Sequence, residues 1–74
     1  MALRSLRFGG KLDTYRRLKG LTIAELSERV GIPGATMERL LTGRNAPCAA
    51  TLLRIMRTLE IHFEPEDFEQ EGMP

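Results

Sequence analysis

The sequence predicts an all-α domain, a compact bundle of four to five short helices. Apolar residues recur at three- and four-residue spacing in four segments, and a glycine ends each of the first three. Aromatic residues make up only 5% of the chain, Trp is absent, and little of the sequence alternates as strands do. The 74 residues allow one domain with one core. A domain of this size buries only about 60% of its unfolded surface, so a dimer interface would add stability.

The first helix is expected after a short basic leader. Residues 1–10 form this leader, which contains Arg4 and Arg7. Gly9 and Gly10 separate it from the helical pattern that follows. The residues that define this first helix and its stop are Leu12, Tyr15, Leu18, Lys19 and Gly20.

The second helix has a clear start signal. Thr22 and Glu25 have the spacing of a capping box, in which the hydroxyl accepts from the third helical amide and the carboxylate accepts from the Thr22 amide. Gly31 supplies a left-handed stop. Pro33, after the inward-turning Ile32, suits a turn or a first helical position. The stripe expected to face the core consists of Ile23, Leu26, Ser27 and Val30.

Two more helices follow. The third is expected from Gly34 to Thr42, with Gly43 as its stop and two inward residues one turn apart, Met37 and Leu40. After a polar turn, the fourth is expected between Ala49 and Leu59. Its broad apolar face consists of Leu52, Leu53, Ile55, Met56 and Leu59.

The C-terminal part returns to the core and then becomes acidic. Ile61 and Phe63 carry the chain back, and Pro65 to Gln70 can form a short fifth helix with acidic residues in its first turn. Residues 71–74 are expected to fray. Residues 11–70 are therefore interpreted as the single domain of the chain.

The charge is distributed unevenly along the chain. Residues 1–57 carry all 11 Lys and Arg residues against four acidic residues, a net charge of +7, whereas residues 58–74 carry six acidic residues and no base, a net charge of −6. A basic body suits a polyanionic partner, and an acidic tail should lie away from phosphate. The alternative is an ordinary solvated surface whose acidic tail aids solubility.

Other composition features exclude several classes. Cys48 is the only cysteine and cannot form an internal disulfide, and no signal peptide or run of 18 apolar residues is present. A reduced, cytoplasmic protein without a membrane segment is expected. His62 has no partner at metal-ligand spacing, and Cys48 is expected to cap the fourth helix or to be a small buried residue. No catalytic residue, metal, cofactor or small-molecule effector is predicted.

The order of the second and third helices is that of a helix-turn-helix, in which the first helix braces across phosphates and the second lies in the major groove. From about Lys11 to Phe68 the sequence resembles the lambda-repressor and Cro-like (XRE-type) DNA-binding domains, in register and without a gap. The residues that carry this resemblance are Arg16, Gly20-Leu21-Thr22, Glu25-Leu26, Val30-Gly31-Ile32, Thr36-Met37, Arg39-Leu40, Gly43-Arg44, Pro47, Leu52-Leu53 and Leu59.

The resemblance implies a lambda-repressor-like fold and a DNA-binding face. Arg39 is the expected base reader, because its fork fits the O6 and N7 atoms of guanine, the alternatives being a phosphate contact or a surface pair. Glu38 is expected to face solvent or to orient Arg39. The family makes phosphate contacts near the end of the third helix, where a solvated turn is the alternative. The residues assigned to DNA are Thr22, Gly34, Ala35, Thr36, Glu38, Arg39, Thr42, Arg44 and Asn45.

Several positions depart from the family pattern. Ile23 stands where the family usually has a phosphate-capping Gln, so it is interpreted as a core or interface residue, and the anchor moves to Thr22. Gly34 and Ala35 cannot bind a base edge through polar side chains. They can allow close approach, the Ala35 and Thr36 methyl groups can meet a thymine methyl, and simple helix-start chemistry is the alternative.

Two further expectations follow from the resemblance. The family Arg at position 16 usually pairs with a Glu, but Leu41 occupies that partner position, so Arg16 is expected to point outward or toward a phosphate. Leu41 then extends the core or a contact surface. Dimerisation is expected through the C-terminal part, unless these residues only close the monomer core: Leu59, Ile61, Phe63 and Phe68.

The sequence thus predicts a sequence-specific transcriptional regulator, a small repressor or autoregulator that binds an inverted-repeat operator in double-stranded DNA as a homodimer. The alternative is an antitoxin-like or adaptor module that uses the same scaffold for protein interaction and binds DNA weakly. The residues that favour this alternative are Ile23, Gly34, Ala35 and Leu41. An enzyme is not expected.

Overall fold

The computed structural model describes residues 6–68, apart from the side chain of Leu6. This part of the chain contains four α-helices, one short 3₁₀ helix (η1) and no strand. The predicted all-α bundle is therefore confirmed. The elements are α1 (Leu6–Leu18), α2 (Ile23–Val30), α3 (Gly34–Leu41), α4 (Ala49–Leu59) and η1 (Pro65–Phe68).

Both ends of α2 are set by the local sequence, as predicted. The Glu25 amide donates to the Thr22 hydroxyl at 3.0 Å, and the Thr22 amide donates to the Glu25 carboxylate at 2.8 Å. Hydrogen bonds from the Thr22 backbone and side chain lower the pKa of Glu25. At the other end Gly31 adopts a left-handed φ of 81°, and its amide donates to the Ser27 carbonyl.

The start of α1 differs from the expectation. The helix begins at Leu6 and runs through Gly9 and Gly10, so the basic leader expected up to residue 10 is wrong for residues 6–10, and Arg4 lies outside the described residues. Phe8 is fully buried. A Cβ on Gly9 would lie 2.5 Å from the Leu40 carbonyl oxygen, which shows that α1 and α3 approach each other closely there. Gly9 therefore serves helix packing rather than ending a leader.

The core lies where the four helices and the C-terminal segment meet. Helix α1 packs against α3 and η1, and α2 packs against α3 and α4. The expected inward positions of α2 and α3 are buried except Ile23, which is half-buried. Leu18 is 80% exposed and Leu53 is 52% exposed, so the apolar faces predicted for the first and fourth helices are wrong at these two positions. The buried apolar residues are Phe8, Leu12, Leu21, Leu26, Val30, Met37, Leu40, Ile55, Leu59 and Phe63.

The C-terminal segment closes this core. The Phe63 and Phe68 rings lie 4.6 and 5.3 Å from the Phe8 ring, measured between centroids. The predicted fifth helix exists only as the 3₁₀ helix η1, and residues 69 and 70 lie outside the described part. In the part of the chain that the structure describes, no helix has the length and apolar character needed to cross a membrane.

Candidate nucleic-acid interface

A tight turn orients α3 against α2. The Ile32 amide donates to the Ser27 carbonyl at 3.1 Å, so the chain is tied to the end of α2 immediately after Gly31. Arg54 of α4 adds a second tie, since its Nη1 donates to the Gly31 carbonyl at 3.2 Å. Pro33 then starts α3 in an extended conformation, without a side-chain cap. The direction of α3 is thus set by its neighbours on both sides.

Helix α3 has one buried and one exposed face. Met37 and Leu40 are buried in the core. The exposed residues recur at helical spacing, so they share one face of the helix and its end. These residues are Gly34, Ala35, Glu38, Arg39 and Thr42.

Two guanidinium groups at this face have no partner within residues 6–68. Neither Arg39 nor Arg44 forms a side-chain hydrogen bond or ion pair there. The amides of Arg44 and Asn45 donate to the Arg39 carbonyl at 3.0 and 3.5 Å, which ties the following turn to the end of α3. Both arginines and Asn45 are exposed. This arrangement leaves cationic donors available beside the exposed face of α3.

The cations of α1 have different surroundings. Arg16 donates through Nε to Asp13 at 2.9 Å and through Nη1 to the Leu21 carbonyl at 2.8 Å, and Arg17 pairs with the other Asp13 oxygen at 2.9 Å. The expectation that Arg16 points outward for want of a partner is wrong, because Asp13, three residues earlier, takes the role expected of position 41. Leu41 is half-buried and packs against the core.

The chain matches a family model described as "Helix-turn-helix domain" over residues 7–67. The chain belongs to the helix-turn-helix domain family. The α2–turn–α3 unit is its helix-turn-helix, and α3 is the second helix of that motif. No curated protein matches the chain.

Two solved structures share this helix-turn-helix fold. The restriction-modification controller protein C.AhdI from Aeromonas hydrophila is 23% identical, with a TM-score of 0.70 over 86% of this chain and 94% of that chain. An HTH_3 family transcriptional regulator from Vibrio cholerae is 24% identical, with a TM-score of 0.71, and this chain covers 33% of its length. The predicted lambda-repressor and Cro-like fold is thereby confirmed.

The threonines predicted to contact DNA have different hydrogen-bonding states. The Thr22 hydroxyl accepts from the Glu25 amide, and its side-chain hydrogen bond to the Glu25 carboxylate lowers the pKa of Glu25. The Thr42 hydroxyl instead donates to the Glu38 and Arg39 carbonyls at 3.0 and 3.2 Å, so its proton is already used inside the helix-turn-helix. Thr36 is half-buried. A phosphate contact of the kind expected for Thr42 would require its hydroxyl to rotate away from these carbonyls.

The other predicted residues of the motif divide by exposure. Ile23 is half-buried and packs against the core, in agreement with its interpretation as an apolar contact rather than an anchor. Glu38 is exposed and forms no hydrogen bond or ion pair with Arg39. The hydrogen bond from Arg54 to the Gly31 carbonyl, which braces the turn, could not be predicted from the sequence, because it joins residues 23 positions apart.

The residues expected to form a dimer interface are mostly inside the monomer. Leu59 and Phe63 are buried in the core, so their side chains are not available to a second chain. Ile61 and Phe68 are half-buried and pack against the same core. Any contact through this part of the chain would depend on the outer edges of these two residues and on their exposed neighbours.

Cys48 and His62 lie outside this face. Cys48 occupies the N-cap position of α4, the first of its two expected roles, although without a side-chain hydrogen bond to the helix, and it is exposed rather than buried. Its Sγ lies 3.2 Å from the Thr51 hydroxyl oxygen, a contact that lowers the pKa of the thiol. His62 Nε2 lies 3.2 Å from a Glu64 carboxylate oxygen. Residues 6–68 contain no group of three His, Cys, Asp or Glu side chains placed to hold a metal.

Proposed function

We propose that this protein is a sequence-specific DNA-binding transcriptional regulator that inserts α3 into the major groove. The observation that carries the proposal is the exposed face of α3, flanked by the unpaired guanidinium groups of Arg39 and Arg44. Base edges and phosphates are the acceptors that such donors fit. Membership of the helix-turn-helix family and the likeness of the fold to two regulators support the same function.

The roles within this face differ. Arg39 lies on α3 itself and is proposed to fork onto a guanine, whereas Arg44 and Asn45 lie in the turn after α3 and are proposed to contact phosphates. Thr22, at the exposed start of α2, is proposed to contact another phosphate. Arg16 is not included, because Asp13 and the Leu21 carbonyl already engage its guanidinium.

The regulator is further proposed to be a repressor that acts by occupying its operator as a homodimer. Two-fold symmetry in the protein would place two α3 helices about 34 Å apart on an inverted repeat. The likeness of the fold to that of the restriction-modification controller protein C.AhdI supports the regulatory role. Sedimentation of the free protein and of its DNA complex tests this finer proposal, since a monomer in both would contradict it.

DNA binding is tested by selecting duplexes from a randomised pool with the full chain and then measuring affinity against salt. We expect a log–log slope of about 0.9 for each phosphate neutralised. A folded protein that selects no duplex, or an affinity that stays flat between about 50 and about 200 mM salt, would contradict the proposal.

Protein interaction is the second candidate function. The observation that favours it is the exposure of two large apolar side chains, Leu18 at 80% and Leu53 at 52%. They lie on α1 and α4 rather than on the exposed face of α3, so they compete little with the DNA-binding proposal. A failed duplex selection by a protein with native helical content would favour this candidate over DNA binding.

A further inference from the structure

At most of the described glycines, the backbone conformation or the packing of the protein itself requires glycine. Gly31 and Gly43 adopt left-handed φ values of 81° and 76°, which side chains rarely tolerate. Gly9 adopts no such φ, but a Cβ there would lie within 2.8 Å of two carbonyl oxygens of α3. Substitution at each of these positions would strain or displace the chain itself.

Neither the backbone conformation nor the packing of the protein requires glycine at position 34. The φ of Gly34 lies outside the left-handed region, and a Cβ on it would meet only the Ser27 hydroxyl oxygen, at 4.0 Å. Its own position is exposed. An alanine would therefore fit the fold, although glycine is among the least favourable residues in a helix. Nothing within the described part of the monomer therefore excludes a side chain at this position.

The surroundings of Gly34 indicate where a limiting partner would lie. Gly34 belongs to the exposed face of α3 that also carries Arg39, and Ala35 beside it adds only a methyl group. Pro33 contributes no side-chain cap, so the first turn of α3 presents almost bare main chain. Glycine is the residue that lets a backbone approach a ligand most closely.

We infer that Gly34 is a specificity-determining residue whose missing side chain lets the main chain of α3 contact base edges of double-stranded DNA. This inference rests on the proposed function and names one position of the same face. The base edges are favoured over the sugar–phosphate backbone because Gly34 lies at the N-terminal end of α3, at the opposite end of the helix from the turn whose residues are proposed to contact phosphates. A Cβ at position 34 would then occupy space that the DNA needs.

The test compares three variants of the full chain, Gly34→Ala, Gly34→Leu and Gly10→Ala. Gly10 is the matched control, because it is an exposed helical glycine of α1 whose Cβ would meet nothing within 4 Å. Affinities are measured by fluorescence anisotropy on the duplex that the wild type selects from a randomised pool and on a scrambled duplex of the same composition. Circular dichroism and thermal unfolding report the fold of each variant.

We expect Gly34→Ala to weaken binding to the selected duplex about tenfold, an effect of about 1.4 kcal/mol. Gly34→Leu should weaken it further, both variants should bind the scrambled duplex within about twofold of wild type, and Gly10→Ala should match wild type on both duplexes. All three should retain helical content and a Tm no lower than that of the wild type. This pattern would separate exclusion of a Cβ by DNA from damage to the fold.

Other outcomes would overturn the inference. Wild-type affinity in both Gly34 variants would show that DNA leaves room at this position, and equal losses on the two duplexes would show that base edges are not what the main chain contacts. Either result leaves the proposed function standing if the wild type selects a duplex. A wild type that selects none would overturn the proposed function and this inference together.

Discussion

Helices α1 and α3 pack against each other at Gly9, yet their cations have opposite surroundings. On α1, Arg16 and Arg17 share Asp13, and Lys11 pairs with Asp67 of η1 at 3.2 Å. Beside α3, Arg39 and Arg44 have no partner within the described residues. The cations are therefore not equally ready to bind a polyanion, because three on α1 already face the carboxylates of Asp13 and Asp67, whereas the two beside α3 face none.

This contrast also shows where the acidic C-terminal part goes. It does not simply lie apart from the basic residues, since the Asp67 carboxylate accepts from Lys11, and Arg7 donates to the Glu66 carbonyl at 3.5 Å. The segment stabilises the N-terminal half of α1, where the Lys11 ammonium also lies 5.1 Å from the centre of the Phe63 ring. The region around α1 and η1 is thus interpreted as structural, and the exposed face of α3 as functional.

The largest effect is expected at the contact between the two regions. Gly9→Ala places a Cβ 2.5 Å from the Leu40 carbonyl oxygen, so α1 and α3 must separate, and we expect the free energy of unfolding to fall by about 3 kcal/mol. Denaturant unfolding measures this change. Gly10→Ala is the control and should raise stability by up to about 1 kcal/mol. Equal stabilities of the two variants would show that the helices are not in close contact.

The next effect concerns the exposed face of α3. Arg39→Ala should cost about 1–3 kcal/mol on a selected duplex and relax the preference at one base pair per half-site, because a forked contact to guanine is lost. Binding to scrambled DNA should change little. Anisotropy titrations give the ratio of the affinities for the selected and the scrambled duplex. An unchanged ratio in Arg39→Ala would show that specificity lies in other residues or in DNA shape.

A smaller effect is expected on the salt dependence of DNA binding, and it should differ between an unpaired and a paired cation. Arg44→Ala should weaken selected and scrambled DNA together and lower the log–log salt slope by about one unit, because one phosphate contact is removed. Lys11→Ala should leave the slope unchanged, since Asp67 already neutralises this ammonium group. The slopes are obtained from titrations at several salt concentrations. A decrease in the salt slope as large for Lys11→Ala as for Arg44→Ala would contradict the distinction between the two regions.

The smallest effect is expected at the link between α1 and η1. The Glu64 amide donates to Asp67 at 2.7 Å, and this bond, followed by the contact with Lys11, lowers the pKa of Asp67. Its stabilisation is therefore present above the unfolded pKa of about 3.9 and is lost as the pH falls through the lower folded value.

Asp67→Asn should consequently lower the free energy of unfolding by less than about 1 kcal/mol at neutral pH. The difference between variant and wild type should shrink as the solution is acidified. Thermal unfolding at neutral and acidic pH measures it. A difference that persists in acid would show that the carboxylate charge is not what holds η1 to α1.

Prediction from sequence succeeded where the determining groups are neighbours in the chain. The capping box of Thr22 and Glu25 and the left-handed Gly31 set the limits of α2 through groups at most four residues apart. The span Ala49–Leu59 was likewise predicted from its periodicity. The buried pair Met37 and Leu40 followed from the same spacing rule, and with it the exposed face of α3.

Prediction failed where residues distant in the chain decide the outcome. Gly9 reads as the end of a leader until α3 is placed beside it. Leu18 and Leu53 have helical spacing, but no element within residues 6–68 covers them. Whether Leu59 and Phe63 face a second chain or their own core also depends on α1, since Phe8 fills the space beside Phe63.

The sequence by itself determined the order of the helices, the ends of α2 and the residues that α3 presents to a partner, because caps and helical periodicity act over one or two turns. Only the tertiary structure decided that Lys11 meets an acidic side chain and that Arg39 and Arg44 do not. The Lys11–Asp67 pair joins residues 56 positions apart, and such a pair exists only once hydrophobic packing has brought η1 onto α1. The unpaired state of Arg39 and Arg44 is the other consequence of that packing, which places no acidic side chain from residues 6–68 in contact with them.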